Sequence, residues 1–310
     1  MKLKPLIESK MYISDEDFLP NSTLTNFFEK HTTLRGDQIS QHILKIVSTF
    51  NHPTHCLSGR VIAKERPPPP QRSKAWEICP YPCIGNFYFV EFTFANQPGY
   101  PEALRKLKQG GSLLDVGCCF GQDLRKLVAD GAPAANLYGI DLRPEFAELG
   151  YELFLDRETF LAHFIAPVDI LLLGEGCTAN DKTVRPLDGK MDIIHLGYFL
   201  HLFNWQDQVR ASKNIAKFLS PAKDSLIVGH QVGSGVSGEF ATPWTGLEED
   251  SAFKHNEASF KQLWEQVPGE WEVKFDFVSR PRSLGKDPRD MLFADSDSHR
   301  QLFTFTIRRV

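Results

Sequence analysis

From about Tyr100 onward, short apolar runs alternate with amphipathic segments, and this alternation constrains the fold more than any other feature. Strands that alternate with helices form a parallel sheet covered on both faces. The last two strands have no helix between them, which predicts one antiparallel strand at the end of a seven-stranded, mostly parallel, Rossmann-like α/β sheet. The pattern predicts strands at 112–116, 137–140, 168–173, 191–196, 225–229, 271–278 and 302–307, and helices at 124–129, 144–154, 206–219 and 257–266.

The N-terminal third has a different character. Apolar residues at helical spacing predict helices around Leu24 and at 39–50, and four consecutive prolines at 67–70 predict an extended connector. An aromatic-rich segment, 76–94, follows. We therefore divide the chain into a helical lid with its connector, 1–98, and a cofactor-binding domain, 99–310. Tyr81 and Phe87 are candidates for the wall of an apolar acceptor pocket, or else they pack the lid onto the sheet.

Composition excludes several classes. The 310 residues carry a formal net charge of −4, which gives no electrostatic reason to expect a nucleic acid partner. No apolar run approaches the ~20 residues of a membrane span, and the first residues lack a signal core, so we expect a cytoplasmic protein with a small-molecule substrate. The six cysteines lack the paired spacing of zinc sites, so no metal is predicted, although one Mg²⁺ on scattered carboxylates stays open, as does the oligomeric state.

The sharpest local signal is a strand, the loop Asp115-x-Gly117-x-x-x-Gly121, and then a helix. Ligands bind beyond the carboxyl ends of parallel strands. Gly117 would let the backbone approach a ligand, and Gly121 would permit close helix packing. Twenty residues beyond Gly121, Asp141 ends the second predicted strand, where a carboxylate can accept both hydroxyls of a ribose. These residues predict an adenosine cofactor.

The identity of that cofactor follows from the loop chemistry. A dinucleotide site needs Gly-x-Gly-x-x-Gly to meet a pyrophosphate, but position 119 is a cysteine. S-adenosylmethionine has no phosphate and carries two positive centres, which suit Asp115. We expect it to bind to Asp115, Gly117, Cys118, Gly121, Asp141, Leu142, Asp169, Ile170 and His195, with Asp169 and Ile170 at the adenine edge.

Two histidines near the fourth strand are candidates for chemistry. His195 faces the crevice as a cofactor or acceptor residue, and His201 is the candidate catalytic base for a hydroxyl acceptor. A carboxylate acceptor would need no base. Both histidines could instead be satisfied inside the core. The glycine-rich segment 233–238 predicts a mobile loop at the pocket rim.

Several runs resemble the fungal secondary-metabolite methyltransferases, which tailor meroterpenoids and polyketides. The most specific is Cys-Cys-Phe-Gly-Gln-Asp at 118–123, and the resemblance spans about 76 to 271, with further matches at 79–87, 131–133, 137–146, 201–205 and 225–229. It implies S-adenosylmethionine-dependent methyl transfer to a carboxylate or hydroxyl oxygen of a natural product. Asn204 departs from the family pattern, which has aspartate there, and the loop 168–190 is altered.

Three alternatives remain at this stage. The chain could bind the cofactor without methyl transfer, it could use the sulfonium charge to help a natural product cyclise, or it could be a nicotinamide oxidoreductase. Formation of S-adenosylhomocysteine separates the first two from a methyltransferase. Binding of NADH without S-adenosylmethionine would favour the third.

Overall fold

The computed structural model describes residues 20–48, 78, 82–85, 88–174, 179–241, 251–278, 297 and 299–310. Within this part of the chain, seven strands form one sheet in the order β3-β2-β1-β4-β5-β9-β8, and β6 and β7 form a separate hairpin. The strands are β1 Leu113–Val116, β2 Leu137–Ile140, β3 His163–Ile165, β4 Ile193–Gly197, β5 Leu226–Ser234, β6 Gly238–Ala241, β7 Ser251–Lys254, β8 Trp271–Val278 and β9 Arg300–Arg309.

The strand directions confirm the predicted architecture. Strand β1 pairs in parallel with β2 and β4, and β5 pairs in parallel with β4. Strand β9 is antiparallel to both β5 and β8. The described residues therefore contain the seven-stranded, mostly parallel sheet whose order reverses between β1 and β4, and this reversal opens a crevice at the carboxyl ends of those two strands.

Helices cover both faces of the sheet. Their bounds are α1 Ser22–His31, α2 Asp37–Ser48, α3 Pro82–Gly85, α4 Tyr100–Lys108, α5 Gln122–Ala129, α6 Pro144–Phe154, α7 Ala179–Val184, α8 Trp205–Phe218 and α9 Glu257–Glu265. Ile215 of α8 and Phe260 of α9 pack against one face, and Leu107 of α4 and Leu124 of α5 pack against the other. Asn204, the departure from the family pattern, accepts the Asp207 N–H at 2.9 Å and so caps α8 as an aspartate would.

The N-terminal helices pack on the sheet domain through aromatic side chains. Phe28 of α1 is fully buried and stacks on Phe154 of α6, with ring centroids 5.8 Å apart. Phe120 of the glycine loop and Phe89 belong to the same buried cluster, at 4.7 Å between centroids. The loop is thus held from the N-terminal side by apolar contact.

The predicted third strand at 168–173 is wrong. The strand is His163–Ile165, and Ile170–Leu172 forms a 3-10 turn. The true strand is short and lies at the sheet edge, so its sequence carries little apolar signal. The apolar run is instead buried against α8, where the Asn214 side-chain amide donates to the Ile170 carbonyl at 2.8 Å.

The predicted loop at 233–238 is shorter in the structure, where residues 235–237 join two strands. Strand β5 continues to Ser234, and β6 begins at Gly238. Gly233 lies within β5. A Cβ at this position would lie 2.3 Å from the His255 carbonyl oxygen, so only glycine fits this close approach. The β6–β7 hairpin and α4 were not predicted.

Candidate functional site

A cavity of about 560 Å³ lies at the carboxyl ends of β1, β2 and β4. The predicted residues that line it are Asp115, Gly117, Cys118, Asp141, Leu142, Asp169, Ile170, His195 and His201. Gly121 lies behind the loop, where its φ of +67° and a 2.3 Å approach of its missing Cβ to the Phe164 ring exclude larger residues. Tyr81 and Phe87 lie outside the described residues, and Tyr88 lines the cavity from the same segment.

Asp141 joins the second strand to the glycine loop. Its Oδ2 accepts the Cys119 N–H at 2.9 Å, and its Oδ1 accepts the Arg143 N–H at 2.9 Å. Burial raises the pKa of Asp141, and the two backbone N–H bonds oppose that rise. Cys119 has a φ of +51°, an unusual conformation for a non-glycine residue. The bond to Asp141 therefore helps to hold a strained loop in place.

Asp115 and His195 form a buried pair on the two central strands. The Asp115 carboxylate lies 2.8 Å from His195 Nδ1, and the imidazole stacks on the Phe94 ring at 4.1 Å between centroids. Burial alone would lower the pKa of His195, but the charge and hydrogen bond of Asp115 outweigh it and raise that pKa. The pair fixes the ring orientation, because Nδ1 faces the carboxylate.

The first turn of α5 adds polar groups that the sequence reasoning missed. Asp123 accepts the Phe94 N–H at 3.0 Å and the Thr93 hydroxyl at 3.3 Å, and burial raises its pKa to about 7. Gln122 Oε1 and His195 Nε2 are buried and have no hydrogen-bond partner among the described residues. Both residues line the cavity, so a bound ligand could satisfy these atoms. We refer to Asp115, Asp123, Asp141 and Asp169 as the acidic end.

Asp169 reaches the cavity although the third strand was misplaced. Its Oδ1 accepts the Leu171 N–H at 2.9 Å and starts the 3-10 turn. The Val168 N–H donates to the Asp141 carbonyl at 2.8 Å, which ties this segment to the end of β2. Asp169, Ile170 and Leu142 therefore line the cavity beside the end of β2.

Two buried neutral histidines are found here, His201 in the cavity lining and His230 against the lining residue Tyr198. Burial lowers the pKa of His201 to about 3, and the positive charges of Arg300 and Lys254 add to that effect. Burial also lowers the pKa of His230, whose ring lies 4.5 Å from the Tyr198 ring. Tyr198 has a φ of +53° and stacks on Tyr88 at 5.7 Å. At neutral pH His201 is therefore uncharged and a weak base.

The β6–β7 hairpin and the start of β9 form a further part of the cavity wall. Phe240, Ala252 and Lys254 line it from the hairpin, and Arg300 lines it from β9. We refer to Lys254 and Arg300 as the basic end. A buried lysine in a strand is rare, and Lys254 therefore interrupts the apolar alternation by which β7 could have been recognised in the sequence.

A buried network anchors the hairpin. The Gln208 side-chain amide of α8 donates to the carbonyl oxygens of Phe203 and Phe253 at 2.9 and 2.7 Å. The two ring nitrogens of His255 lie 3.0 Å from Gln208 Oε1 and 3.0 Å from the Ser259 hydroxyl. Because buried polar groups are costly when unpaired, this network fixes the hairpin against α8 and α9.

Neither a metal site nor a membrane helix is found in the part of the chain that the structure describes. No three histidine, cysteine, aspartate or glutamate side chains there form a group that could hold a metal ion. No described helix is both long enough and apolar enough to span a bilayer. Two cysteines of the site, Cys118 and Cys119, are free thiols.

Among solved structures, the chain is similar to the 1,6-didemethyltoxoflavin-N1-methyltransferase of Burkholderia thailandensis, with 15% identity, a TM-score of 0.45, and coverage of 77% of this chain and 87% of that one. It is also similar to the phosphoethanolamine N-methyltransferase 2 of Haemonchus contortus, with 12% identity, a TM-score of 0.48, and coverage of 78% and 62%. At these levels of identity and TM-score, the evidence for the fold remains the strand order itself.

Sequence comparison gives a closer relationship. Residues 71–90 match the model of the meroterpenoid methyltransferase N-terminal domain. The chain is 37% identical to the O-methyltransferase atr3 of Stereocaulon alpinum over 79% of this chain and 63% of that protein. It is 40% identical to the O-methyltransferase phiE of a fungal species over 65% of this chain and 66% of that protein. The chain thus spans just under two thirds of the length of these two relatives.

A third relative is matched over nearly its whole length. The methyltransferase adrK of Penicillium rubens is 34% identical over 279 residues, which cover 88% of this chain and 85% of that protein. Identity at this level over most of both chains exceeds what a shared fold alone produces. Together with the strand order and the cavity at its carboxyl edge, it identifies the chain as a member of the fungal secondary-metabolite methyltransferase family.

Proposed function

We propose that this protein transfers a methyl group from S-adenosylmethionine to an oxygen of a fungal polyketide or meroterpenoid, either a carboxylate or a hydroxyl. One observation carries the proposal: a single cavity is lined both by the acidic end at the glycine loop and by the basic end on the hairpin and β9. The acidic end suits a cofactor with an ammonium and a sulfonium group. The remaining space is open to a small acceptor molecule.

The acidic end fits the cofactor in its polar groups. Asp141 would accept the ribose hydroxyls, since its carboxylate is fixed by two backbone N–H groups. Gln122 Oε1 and Asp123 would accept from the ammonium group, and His195 would contact the same methionine part. A Cβ at Gly117 would lie 2.6 Å from the Phe199 ring, so this position tolerates no side chain at the approach to the cavity.

The adenine edge is supported by a second group of residues. Leu142 and Ile170 offer apolar surface, and the Asp169 carboxylate can accept from an exocyclic amino group. Phe146 lines the same region from α6. An adenine ring is flat and apolar with a polar edge, and this combination of side chains matches it.

The bound cofactor would supply an electrophilic methyl group for in-line displacement. The protein's task is then to hold the acceptor oxygen in line and to exclude water. Tyr88 and Tyr198 both line the cavity and stack on each other. His201, with its pKa lowered to about 3, is poorly suited to take a proton from a hydroxyl. An acceptor oxygen that is already ionised is therefore favoured over a neutral hydroxyl.

Release of S-adenosylhomocysteine tests the proposal. Purified protein is incubated with S-adenosylmethionine and extracts rich in polyketide and meroterpenoid acids, and S-adenosylhomocysteine is measured by mass spectrometry. We expect acceptor-dependent formation that Asp141→Ala abolishes at low cofactor concentration. Binding of the cofactor without its conversion over a broad extract set would favour a binding protein, and binding of NADH alone would favour an oxidoreductase.

A further inference from the structure

Arg125 is a buried cation behind the glycine loop. It is the fourth residue of α5, it is 2% exposed, and it lies outside the set of described residues that line the cavity. Burying a guanidinium group is costly, and the helix dipole also opposes a positive charge near the N-terminus of a helix. Such a position requires partners that compensate both costs.

One set of partners comes from the end of α6 and the segment after it. Arg125 Nε donates to Asp156 Oδ2 at 2.6 Å, and Nη2 donates to Asp156 Oδ1 at 2.8 Å. The guanidinium carbon lies 4.6 Å from the centre of the Phe154 ring and 4.4 Å from the centre of the Phe160 ring. A bidentate carboxylate and two aromatic rings fix both the position and the plane of the guanidinium group.

The remaining terminal nitrogen holds the glycine loop. Arg125 Nη1 donates to the Phe120 carbonyl at 2.6 Å and to the Gly121 carbonyl at 3.3 Å. The preceding residue is held from the cavity side, because the Cys119 N–H donates to Asp141 Oδ2 at 2.9 Å. Three consecutive residues of the loop are therefore bound by charged side chains that lie on different elements.

This loop is not a relaxed turn. Cys119 has a φ of +51° and Gly121 a φ of +67°, so the chain enters the left-handed region twice within three residues. Such conformations persist where the surrounding contacts impose them. Loss of the guanidinium group would remove a charged donor from two carbonyl oxygens, and the loop could then relax away from the geometry in which it meets Asp141.

We propose that Arg125 is a positioning residue for the cofactor, which holds the glycine loop from behind in its binding conformation, and that Asp156 orients the guanidinium group for this role. The inference rests on the proposed function and adds a determinant of cofactor affinity that lies outside the cavity. Neutral replacement of a buried ion pair often costs little stability. The effects on folding and on cofactor binding can therefore be separated.

The test is calorimetric titration with S-adenosylhomocysteine, with thermal unfolding of every variant. Arg125→Lys keeps the charge but lacks the planar fork of donors, so it should weaken binding roughly tenfold, a typical coupling within one hydrogen-bond network. Arg125→Met should weaken binding at least as much. The double variant Arg125→Met with Asp156→Asn leaves no unpaired charge, so its unfolding temperature should be closer to that of the wild type while its affinity stays reduced.

Two controls separate positioning from folding. Arg105→Met removes an exposed guanidinium group from α4 and should change neither the affinity nor the unfolding temperature. Leu263 is fully buried on α9, which packs on the other face of the sheet from α5. Leu263→Ala should lower the unfolding temperature by leaving a void, and it should leave the affinity for S-adenosylhomocysteine unchanged.

A coupling measurement identifies the route of the effect. If Arg125 holds the loop against Asp141, Arg125→Lys should cost less affinity in the Asp141→Ala background than in the wild type. Equal losses in the two backgrounds would overturn the inference, because a general destabilisation acts on both alike. With any acceptor that is turned over, Arg125→Lys should raise the KM for S-adenosylmethionine roughly tenfold and change kcat less.

The inference is also overturned if Arg125→Lys and the double variant bind S-adenosylhomocysteine as tightly as the wild type does, or if Leu263→Ala weakens binding as much at an equal loss of unfolding temperature. It is overturned as well if no Arg125 variant folds, since the residue would then serve the fold alone. Failure of the proposed methyl transfer has a different signature: the wild type would bind S-adenosylhomocysteine but form none from S-adenosylmethionine with any acceptor. The dependence of binding on Arg125 can be measured in that case too.

Discussion

The acidic end of the cavity, at β1, β2 and α5, differs from the basic end in how its charges are held. Asp141 is fixed by backbone N–H groups and Asp123 by one N–H group and one hydroxyl, so their positions follow from the loop and helix that carry them. Lys254 is fixed by another charged side chain and by the Phe240 ring. Groups that the backbone holds in place suit the cofactor, which is the same for every acceptor. Groups that other side chains hold in place can be replaced without disturbing the sheet, which suits the recognition of different acceptors.

The largest effect is expected at the loop that builds the acidic end. Gly121→Ala should lower the free energy of unfolding by roughly 2–4 kcal/mol, because it combines left-handed strain with the approach to the Phe164 ring. Gly110→Ala is the matched control, with a φ of +96° and nothing within 4 Å of the new Cβ. Urea denaturation of both variants checks this. Equal losses would mean that the close packing behind the loop is unimportant.

Asp141→Ala should weaken binding of S-adenosylhomocysteine by on the order of 1.5–3 kcal/mol, since charge-assisted hydrogen bonds to the ribose are lost. Glu270→Ala removes an exposed carboxylate and serves as the control. Calorimetry measures both. Unchanged affinity in Asp141→Ala would mean that the ribose does not bind to Asp141, and the assignment of the acidic end as a cofactor site would lose its basis.

Asp123 gives the acidic end a pH dependence. Its pKa is about 7 in the folded protein against 3.8 for the free side chain, so the folded state binds more protons between these values. The contribution of Asp123 to stability should therefore fall as pH rises from about 4 to 7, by on the order of 2 kcal/mol, whereas the buried histidines His201 and His255, with pKa values lowered to about 3, act in the opposite direction. The difference in unfolding free energy between the wild type and Asp123→Asn, measured at pH 5 and at pH 8, isolates the contribution of Asp123, with exposed Asp224→Asn as control. A difference that does not change between the two pH values would contradict it.

The smallest effect is expected at His201. Because its pKa is lowered to about 3, the pH profile of kcat/KM should show no ionisation of this residue between pH 6 and 9. His201→Asn should reduce turnover less than roughly tenfold, whereas loss of a true general base costs about 10²–10⁴. A rate that rises with pH near neutrality only in the wild type would restore the base role and would make a hydroxyl the acceptor.

The sequence predicted the acidic end well and the basic end poorly, for physical reasons. Asp115, Gly117 and Asp141 follow buried strands, so apolar periodicity and turn chemistry locate them together. Asp169 lines the cavity as predicted, although the third strand was predicted at the wrong residues. The segment that follows β3 leads to the same carboxyl edge of the sheet that the predicted strand would have reached. The N-terminal helices were predicted from their apolar spacing, with Asp37–Ser48 close to 39–50.

The basic end was not predicted because its residues obey no local pattern. Strand β7 places Ala252 and Lys254 at buried positions, where a core strand would carry large apolar side chains. Asp297 contacts Lys254, which lies 43 positions earlier in the sequence, and Ser234, which lies 63 positions earlier, and only the fold brings these residues together. Tyr198 was missed as well, since no sequence signal indicates a tyrosine with a left-handed backbone conformation directly after β4.

The most direct measurement of the central claim is calorimetric titration of the purified protein with S-adenosylhomocysteine and, separately, with NADH. We predict saturable binding of one S-adenosylhomocysteine per chain, weakened by Asp141→Ala, and no binding of NADH. Absence of S-adenosylhomocysteine binding to a folded protein, or binding that is indifferent to Asp141, would contradict the assignment of the acidic end and the function that rests on it.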